Sequence, residues 1–437
     1  MNIIIAGAGK VGFNLARTLS IGHNVTIIDK NSAALHSIQE SLDIMPMNGD
    51  VEDSKTYEHF IDKKIDLFIA VTNSDNVNLI STLMADSVLD IERKFVRIQK
   101  HFYADTKVQE KLGIDTMIFP IKLASQAIVS LLQYPRANNV KYFKYTDYRL
   151  ISVRIPQNTE AFELSEKRFS VVGIERDKSF FIPQKNEILL ANDLIYFFGL
   201  KDDIKAICEQ LENLHDNLMQ KCVVFGANAL GISISRELIN AKRDVKLVEK
   251  DLHLCEKADE MLEGRASVIN SKYGMSTLFE DEGLSSADMF IAATDNDEYN
   301  ITKCLEAREK GISKVMAVNN EMEYYSLMHS LGIIVVRGPK MSAYNAIMEQ
   351  IGSTGVVLEK SFCGSKAMVH MRKIFPTSKL IERKIKPLQV KHSKIFYMRE
   401  DVLHSLNEKM ILKEGDLLIA FCEVGESARV KQWIYEL

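Results

Sequence analysis

Asn2-Ile3-Ile4-Ile5-Ala6-Gly7-Ala8-Gly9-Lys10-Val11-Gly12 and Cys222-Val223-Val224-Phe225-Gly226-Ala227-Asn228-Ala229-Leu230-Gly231 carry one pattern twice, about 220 residues apart. In each, an apolar run of strand length enters a glycine turn that opens a helix. A second apolar run follows, Val25–Ile28 and Val245–Val248, and each ends on an acid, Asp29 and Glu249. A lone G-x-G-x-x-G is weak evidence. A strand, glycine turn, helix, strand and acid repeated at matched spacing is much stronger.

The chain has 437 residues, too many for one ordinary domain. With 46% hydrophobic and 26% charged residues it has globular composition and ample core material. A net charge of −4 implies no general attraction to nucleic acid or anionic lipid, so no nucleic-acid partner is expected. The cysteines (Cys208, Cys222, Cys255, Cys304, Cys363, Cys422) are scattered, without a CxxC pair or clustered histidines. They read as buried small hydrophobes in a reducing compartment rather than metal ligands. The N-terminus runs from Met1-Asn2 into a strand, without a basic region or signal-like apolar stretch. No run approaches the roughly 18 apolar residues that a spanning helix needs. A soluble, cytoplasmic chain follows, one that inserts no segment of its own into a membrane.

Apolar runs rich in Ile and Val alternate with helical periodicity through residues 1–133, with strands expected at 2–6, 24–28, 44–47, 67–71, 95–98 and 117–119. Residues 221–351 repeat the series at 221–225, 244–248, 267–269, 289–293, 314–318 and 333–336. Continuous apolarity, rather than alternation, predicts parallel strands covered on both faces. Two further correspondences support the repeat. Thr72-Asn73-Ser74-Asp75-Asn76-Val77-Asn78 and Thr294-Asp295-Asn296-Asp297-Glu298-Tyr299-Asn300 share T-x-x-D-x-x-N, and Pro120 with Ala127-Ile128 matches Pro339 with Ala346-Ile347. The stretches 139–218 and 355–437 are short and β-rich, each with an Asp (Asp193, Asp416) at a turn before an apolar strand and a closing helix, Lys201–Leu214 and Glu426–Tyr435. The expected fold is therefore α/β: two Rossmann-like doubly wound parallel sheets (1–134 and 219–351), each followed by a small α+β domain (139–218 and 355–437).

The first glycine pattern has every part a dinucleotide needs. Gly7 turns the chain out of the strand, Gly9 lets backbone approach a pyrophosphate, and Gly12 lets helix pack on strand. Ala8, Lys10 and Val11 complete the loop, and the helix after Gly9 aims free N–H groups and its positive dipole end at phosphate. Asp29 is placed for a ribose diol and would repel a 2′-phosphate, which favours NAD(H) over NADP(H). Thr72 and Asn73 end strand four at the carboxyl edge, where ligands bind; Thr72 or Ser74 could equally cap the next helix. Arg97 interrupts an apolar strand, and either a pyrophosphate or a carboxylate such as Asp50 would satisfy it. Asp50 itself faces the adenosine side or simply terminates strand three. In the second copy Gly226, Ala227, Gly231 and Glu249 remain, but Asn228 replaces the close-approach glycine and Val318 stands where Arg97 does. Weak binding, a different ligand or a purely structural role is expected there.

Those paired glycine motifs and T-x-x-D-x-x-N elements, with Val171-Val172-Gly173-Ile174-Glu175-Arg176-Asp177 through Ile182-Pro183 to Asp193, resemble the TrkA family of Trk potassium-uptake regulators, built of tandem RCK units. The resemblance spans essentially the whole chain. It implies a non-enzymatic cytosolic regulator that binds NAD(H), or ATP or ADP, through Gly7 to Val11, Asp29, Thr72, Asn73 and Arg97. It further implies a membrane potassium-translocating partner and a homo-oligomer, a dimer or a tetrameric ring. An NAD-dependent dehydrogenase is the alternative from another class; its companion substrate domain and acid-paired histidine are not recognisable here. A nucleotide-sensing subunit of a potassium channel is the third reading.

Overall fold

Six parallel strands form the first sheet: β1 (Asn2–Ala6), β2 (Asn24–Asp29), β3 (Met45–Asn48), β4 (Leu67–Ala70), β5 (Lys94–Arg97) and β6 (Thr116–Ile118), in the order β3-β2-β1-β4-β5-β6. The chain is described by a computed structural model that covers residues 1–437 except 43, 135–136, 144, 156–168, 185–186, 211–219, 273–274, 353–356, 377, 383, 385–391, 407–409 and 437. Ile3, Ile4 and Ile5 are each at most 1% exposed, because helices cover both faces of the central strand. The strand order reverses between β1 and β4, so the loops after both strands open a crevice at the carboxyl edge. Around this sheet lie α1 (Lys10–Leu19), α2 (Ser32–Ser41), α3 (Asp75–Val88), α4 (Val108–Lys111) and α5 (Pro120–Ser130).

A five-stranded antiparallel sheet follows, from β7 (Ala137–Phe143), β8 (Thr146–Arg154), β9 (Phe169–Arg176), β10 (Ser179–Phe181) and β11 (Leu194–Gly199), ordered β10-β9-β11-β8-β7. Helix α6 (Lys201–Gln210) packs on β8 and β11; the expected continuation over 211–214 lies outside the described residues.

The second half repeats both topologies. Strands β12 (Lys221–Phe225), β13 (Asp244–Glu249), β14 (Ser267–Asn270), β15 (Met289–Ala292), β16 (Lys314–Asn319) and β17 (Ile334–Arg337) form a parallel sheet ordered β14-β13-β12-β15-β16-β17. Its helices are α7 (Ala229–Asn240), α8 (Leu252–Leu262), α9 (Met275–Asp281), α10 (Asp297–Glu309), α11 (Tyr325–Ser330) and α12 (Pro339–Gly352). Strands β18 (Val357–Phe362), β19 (Ala367–Lys373), β20 (Ser393–Arg399), β21 (Val402–Ser405) and β22 (Leu417–Glu423), with α13 (Ser427–Glu436), form the last module.

The two halves are not separate bodies. Helix α5 leaves the first parallel sheet, and its Ala124 and Ile128 join the core of the second, beside Cys222, Val224, Leu230 and Ile234. Helix α12 makes the reverse journey: Ala343, Ile347 and Ile351 sit with Ile3, Ile5, Val11 and Leu15. Each crossing helix therefore packs on the first helix of the other half, α5 on α7 and α12 on α1, and the two crossing helices pack on each other. Burying one aliphatic side chain of this size is worth about 1.5–3 kcal/mol, so the exchange fastens the halves with several kcal/mol of apolar contact. The antiparallel sheets also share a core, in which Phe198 meets Phe421 with ring centroids 5.1 Å apart and Tyr196 meets Phe362 at 5.2 Å.

One device fixes both small modules. Arg176 donates from Nε and Nη2 to Asp193 Oδ1 and Oδ2 at 2.9 and 2.8 Å, and Nη2 also reaches the Ile188 carbonyl. Arg399 repeats this on Asp416 at 2.9 and 2.7 Å, with Ile411 in place of Ile188. Both aspartates are 1% exposed and each accepts a further backbone N–H, from Leu190 or Lys413.

Candidate functional site: one open and one closed glycine loop

The first glycine loop folds as its residues require. Gly7 has φ +112°, and a Cβ there would meet Thr72 at 3.0 Å. A Cβ on Gly12 would stand 1.9 Å from the Gly7 carbonyl oxygen, so the first turn of α1 can pack on β1 only without a side chain. Gly9 is different: a Cβ there would touch nothing within 4 Å. Nothing in this chain demands glycine at that position. Gly9 is also the N-cap of α1, and no side chain caps that helix. The first N–H groups of α1 are consequently left without a side-chain cap, with Gly9 and Lys10 exposed over buried Val11 and Gly12, the arrangement in which a helix end can seat an anion.

Asp29 closes one side of this helix end. Its Oδ2 accepts from Ala8 N at 2.7 Å and its Oδ1 from Asn31 N at 2.8 Å. A carboxylate oxygen has room for a second donor, so Asp29 both holds the loop and keeps acceptor capacity for a diol. Arg97 stands across the sheet at the end of β5, 6% exposed. Its Nη1 reaches Asn73 Oδ1 at 3.4 Å, and its Nε, buried, has no hydrogen-bond partner. Burial lowers its pKa while Asp75 counteracts the shift. No salt bridge to Asp50 or another carboxylate forms among the described residues. Asp50 is exposed just after β3, where its Oδ1 accepts from Glu52 N at 3.0 Å.

Thr72 is already occupied. Its N–H and hydroxyl both donate to Asn78 Oδ1, at 2.8 and 2.7 Å, and Asn78 Nδ2 returns bonds to the carbonyls of Thr72 and Arg97. Asp75 accepts from the backbone N–H of Gln99 and Lys100 at 2.8 and 2.9 Å. Ser74 rather than Thr72 caps α3, accepting from Val77 N. The T-x-x-D-x-x-N motif is thus a clasp that fixes the ends of β4 and β5. The second half repeats it: Thr294 bonds Asn300, Asn300 bonds Val318 O at 3.0 Å, and Asp297 accepts from Asn320 and Glu321. Asp75 and Asn78 were not among the expected site residues, although their recurrence at Asp297 and Asn300, in the half without an Arg97, marks them as parts of the fold.

The second glycine loop has the same backbone, with Gly226 at φ +106° and a Gly231 Cβ placed 1.8 Å from Gly226 O. Glu249 replaces Asp29 in detail: Oε2 accepts from Ala227 N at 2.7 Å, and Oε1 from Lys250 N and Asp251 N. The difference lies at Asn228. Its Oδ1 accepts from Leu230 N and Gly231 N at 3.0 and 2.9 Å, and its Nδ2 donates to Ala293 O at 2.9 Å. The side chain takes the N–H groups that a phosphate would take, which is a stronger exclusion than bulk alone. Val318, fully buried in β16, supplies no charge. Asn228→Gly is expected to cost only a few tenths of a kcal/mol as a cap change. It should add weak nucleotide binding at this loop, read as a rise in calorimetric stoichiometry; an unchanged stoichiometry in the folded variant refutes the self-capping account.

One contact reaches between the halves at the open loop. Lys10 Nζ pairs with Glu321 Oε1 of the second half, and this pairing lowers the Glu321 pKa. Glu321 follows β16 and is itself anchored through its backbone N–H to Asp297. Elsewhere the thiols of Cys222, Cys304, Cys363 and Cys422 are buried and pushed up to about 12, Cys255 is buried as well, and no group of three or more metal-ligating side chains that could hold a metal ion occurs among the described residues. No helix among those residues is long and apolar enough to cross a membrane.

Fold and loops together define a tandem protein of RCK type, two Rossmann-like units each bearing a β-rich module. The TrkA-N domain pattern matches residues 3–120 and again 222–339, and the TrkA-C domain pattern matches 159–212. The chain belongs to the TrkA family. It is 28% identical over 356 residues to a Trk system potassium uptake protein TrkA homolog of Archaeoglobus fulgidus, covering 79% of this chain and 80% of that one. It is 26% identical over 441 residues to the Trk system potassium uptake protein TrkA of Haemophilus influenzae, covering 96% and 95%. A solved structure described as the GsuK channel bound to NAD superposes with a TM-score of 0.62 at 15% identity, covering 100% of this chain and 79% of that one. At that identity the likeness speaks for the fold. These relatives are potassium uptake proteins rather than enzymes, which sets the dehydrogenase alternative aside.

Proposed function

We propose that this chain is the cytosolic regulatory subunit of a Trk-type potassium uptake transporter and that it binds NAD(H) at its first glycine loop. The observation that carries this reading is the uncapped N-terminus of α1 at Gly9, beside Asp29 and the partly unpaired Arg97, against the self-capped N-terminus at Asn228. The pyrophosphate sits on the N–H groups at Gly9 to Gly12, the ribose diol on Asp29, and Arg97 with Asn73 faces the remaining negative charge. The carboxylate disfavours a 2′-phosphate. ATP or ADP satisfies the same phosphate seat.

Signalling follows from where Lys10 points. Phosphate arriving at the loop competes with Glu321 for the Lys10 ammonium, so occupancy changes a link between the two halves. A ligand shifts a conformational equilibrium by its difference in affinity for the two states, and this contact supplies one such difference. The subunit works as a homo-oligomer, a dimer or tetrameric ring, attached peripherally to the translocating membrane subunit at the inner face of the cell membrane.

Calorimetric titration with NADH, NAD, NADPH, ATP and ADP tests the site. Binding near one per chain, with NADH ahead of NADPH, is the expected result; absence of binding by every nucleotide removes the proposal. Asp29→Ala is expected to weaken NADH about 10- to 100-fold, the worth of hydrogen bonds to a charged group. Unchanged affinity in the folded variant would show that the ribose lies elsewhere.

A further inference from the structure

A cavity of about 870 Å³ opens where the second parallel sheet meets both small modules and α1. Its volume is in the range of small-molecule pockets, and Phe362, Tyr344, Met341 and Ile351 give it apolar walls. Its charged lining is unbalanced. Two carboxylates line it, Glu349 of α12 and Glu359 of β18, and each is already paired, with Lys360 Nζ and Lys431 Nζ, both at 3.1 Å. Lys141 of β7, Arg337 at the end of β17 and Arg17 of α1 are further cations of the lining. Among the described residues the side chains of Lys141 and Arg337 make no hydrogen bond or ion pair. Burial lowers the pKa of both, and each cation's nearness lowers that of Lys141 further. Both side chains are partly exposed, and two unpaired cations gathered on one cavity wall repel each other unless something anionic joins them.

The internal repeat shows that this imbalance is particular to one side of the molecule. Counting from Pro120 and Pro339, Arg337 occupies the place of Ile118 and Glu349 that of Ser130. Counting from Phe143 and Phe362, Lys141 occupies the place of Lys360. Lys360 therefore keeps a carboxylate that Lys141 lacks, and Arg337 adds a charge where the first half has a buried isoleucine.

We propose that this cavity binds a phosphate-class oxyanion, with Lys141 and Arg337 as its ligating side chains, at a second effector site distinct from the glycine loop. The anion would bridge the second parallel sheet to the first small module, because Arg337 and Lys141 belong to those two elements. The apolar walls suit the organic part of a phosphate monoester, and inorganic phosphate uses the same two cations without them.

The test titrates the full chain, at constant ionic strength, with inorganic phosphate and with phenyl phosphate, using benzyl alcohol as the uncharged control. Wild-type protein, Arg337→Gln, Lys141→Met and Gly9→Asn are compared. Gly9→Asn caps α1 from within, as Asn228 caps α7, and so removes the glycine-loop seat as a source of signal. Saturable binding of either phosphate is expected in wild type and in Gly9→Asn. It should weaken about tenfold or more in Arg337→Gln and in Lys141→Met, the loss of one charge-assisted contact. Phenyl phosphate ahead of inorganic phosphate assigns the apolar walls to an organic group; equal binding assigns the site to the free ion. Absence of saturable binding, binding unchanged in both cavity variants, or binding lost in Gly9→Asn alone overturns the proposal. Should one cavity variant fail to fold, the other carries the comparison.

Discussion

Gly12→Ala is expected to abolish the proposed nucleotide binding and to destabilise the first parallel domain. The alanine Cβ would lie 1.9 Å from the Gly7 carbonyl oxygen, against backbone rather than a flexible side chain, so relief requires α1 to move off β1. Overpacking of this kind costs roughly 1–3 kcal/mol, occasionally more, and a backbone clash belongs at the upper end. The movement also takes the N–H groups of α1 away from the phosphate position. Gly231→Ala provides the comparison, since its Cβ would meet Gly226 O at 1.8 Å. The two substitutions should lower thermal stability alike, while only Gly12→Ala eliminates NADH binding. Equal loss of NADH binding in both would mean that the ligand depends on the second loop, contrary to the role given to Asn228.

Asp193→Ala and Asp416→Ala are expected to destabilise the small modules. Each removes a carboxylate that is 1% exposed and leaves Arg176 or Arg399 without its bidentate partner. Losing charge-assisted hydrogen bonds of this kind costs about 1.5–3 kcal/mol. The arginine left behind is only part-buried, and Arg176 keeps Glu187 at 3.5 Å, which holds the loss below that of a fully buried pair. Each aspartate also anchors the turn that feeds the last strand of its module, through Leu190 N or Lys413 N. Urea unfolding followed by circular dichroism measures the loss. Replacing both partners, as in Arg176→Met with Asp193→Leu, should recover much of it; a single variant within 1 kcal/mol of wild type would show that the pair is replaceable by water.

The parallel sheets were legible because a strand buried on both faces has to be apolar throughout, and runs such as Asn2–Ala6 and Lys221–Phe225 declare this directly. Loop chemistry was partly legible. The glycine at position 9 and its replacement by Asn228 were visible in the sequence, but the reason the second loop is closed is the cap geometry of that asparagine rather than its size. Asn before an apolar helix is itself a cap signal and could have been read that way. Thr72 was legible as a strand end, but the sequence did not show that its hydroxyl donates to Asn78. The pairing of Arg176 with Asp193 was hidden because two residues 17 apart in β-rich sequence reveal no shared turn. Nor does an apolar stripe on a helix say what it packs on, so the destinations of α5 and α12 required the three-dimensional fold.

Those exchanged helices make the two halves of the chain mutually dependent for completion. A fragment ending before β12 would carry α5 without α7 and α12 to pack on, and its own α1 would lack the cover that Ala343, Ile347 and Ile351 provide. Two such fragments can satisfy each other only by reciprocal embrace, which is how two identical subunits behave when they trade an element. The covalent chain amounts to a dimer of that kind whose partners were joined end to end. Within one covalent chain the two glycine loops can differ, with Gly9 at one and Asn228 at the other, as the loops of two identical subunits cannot.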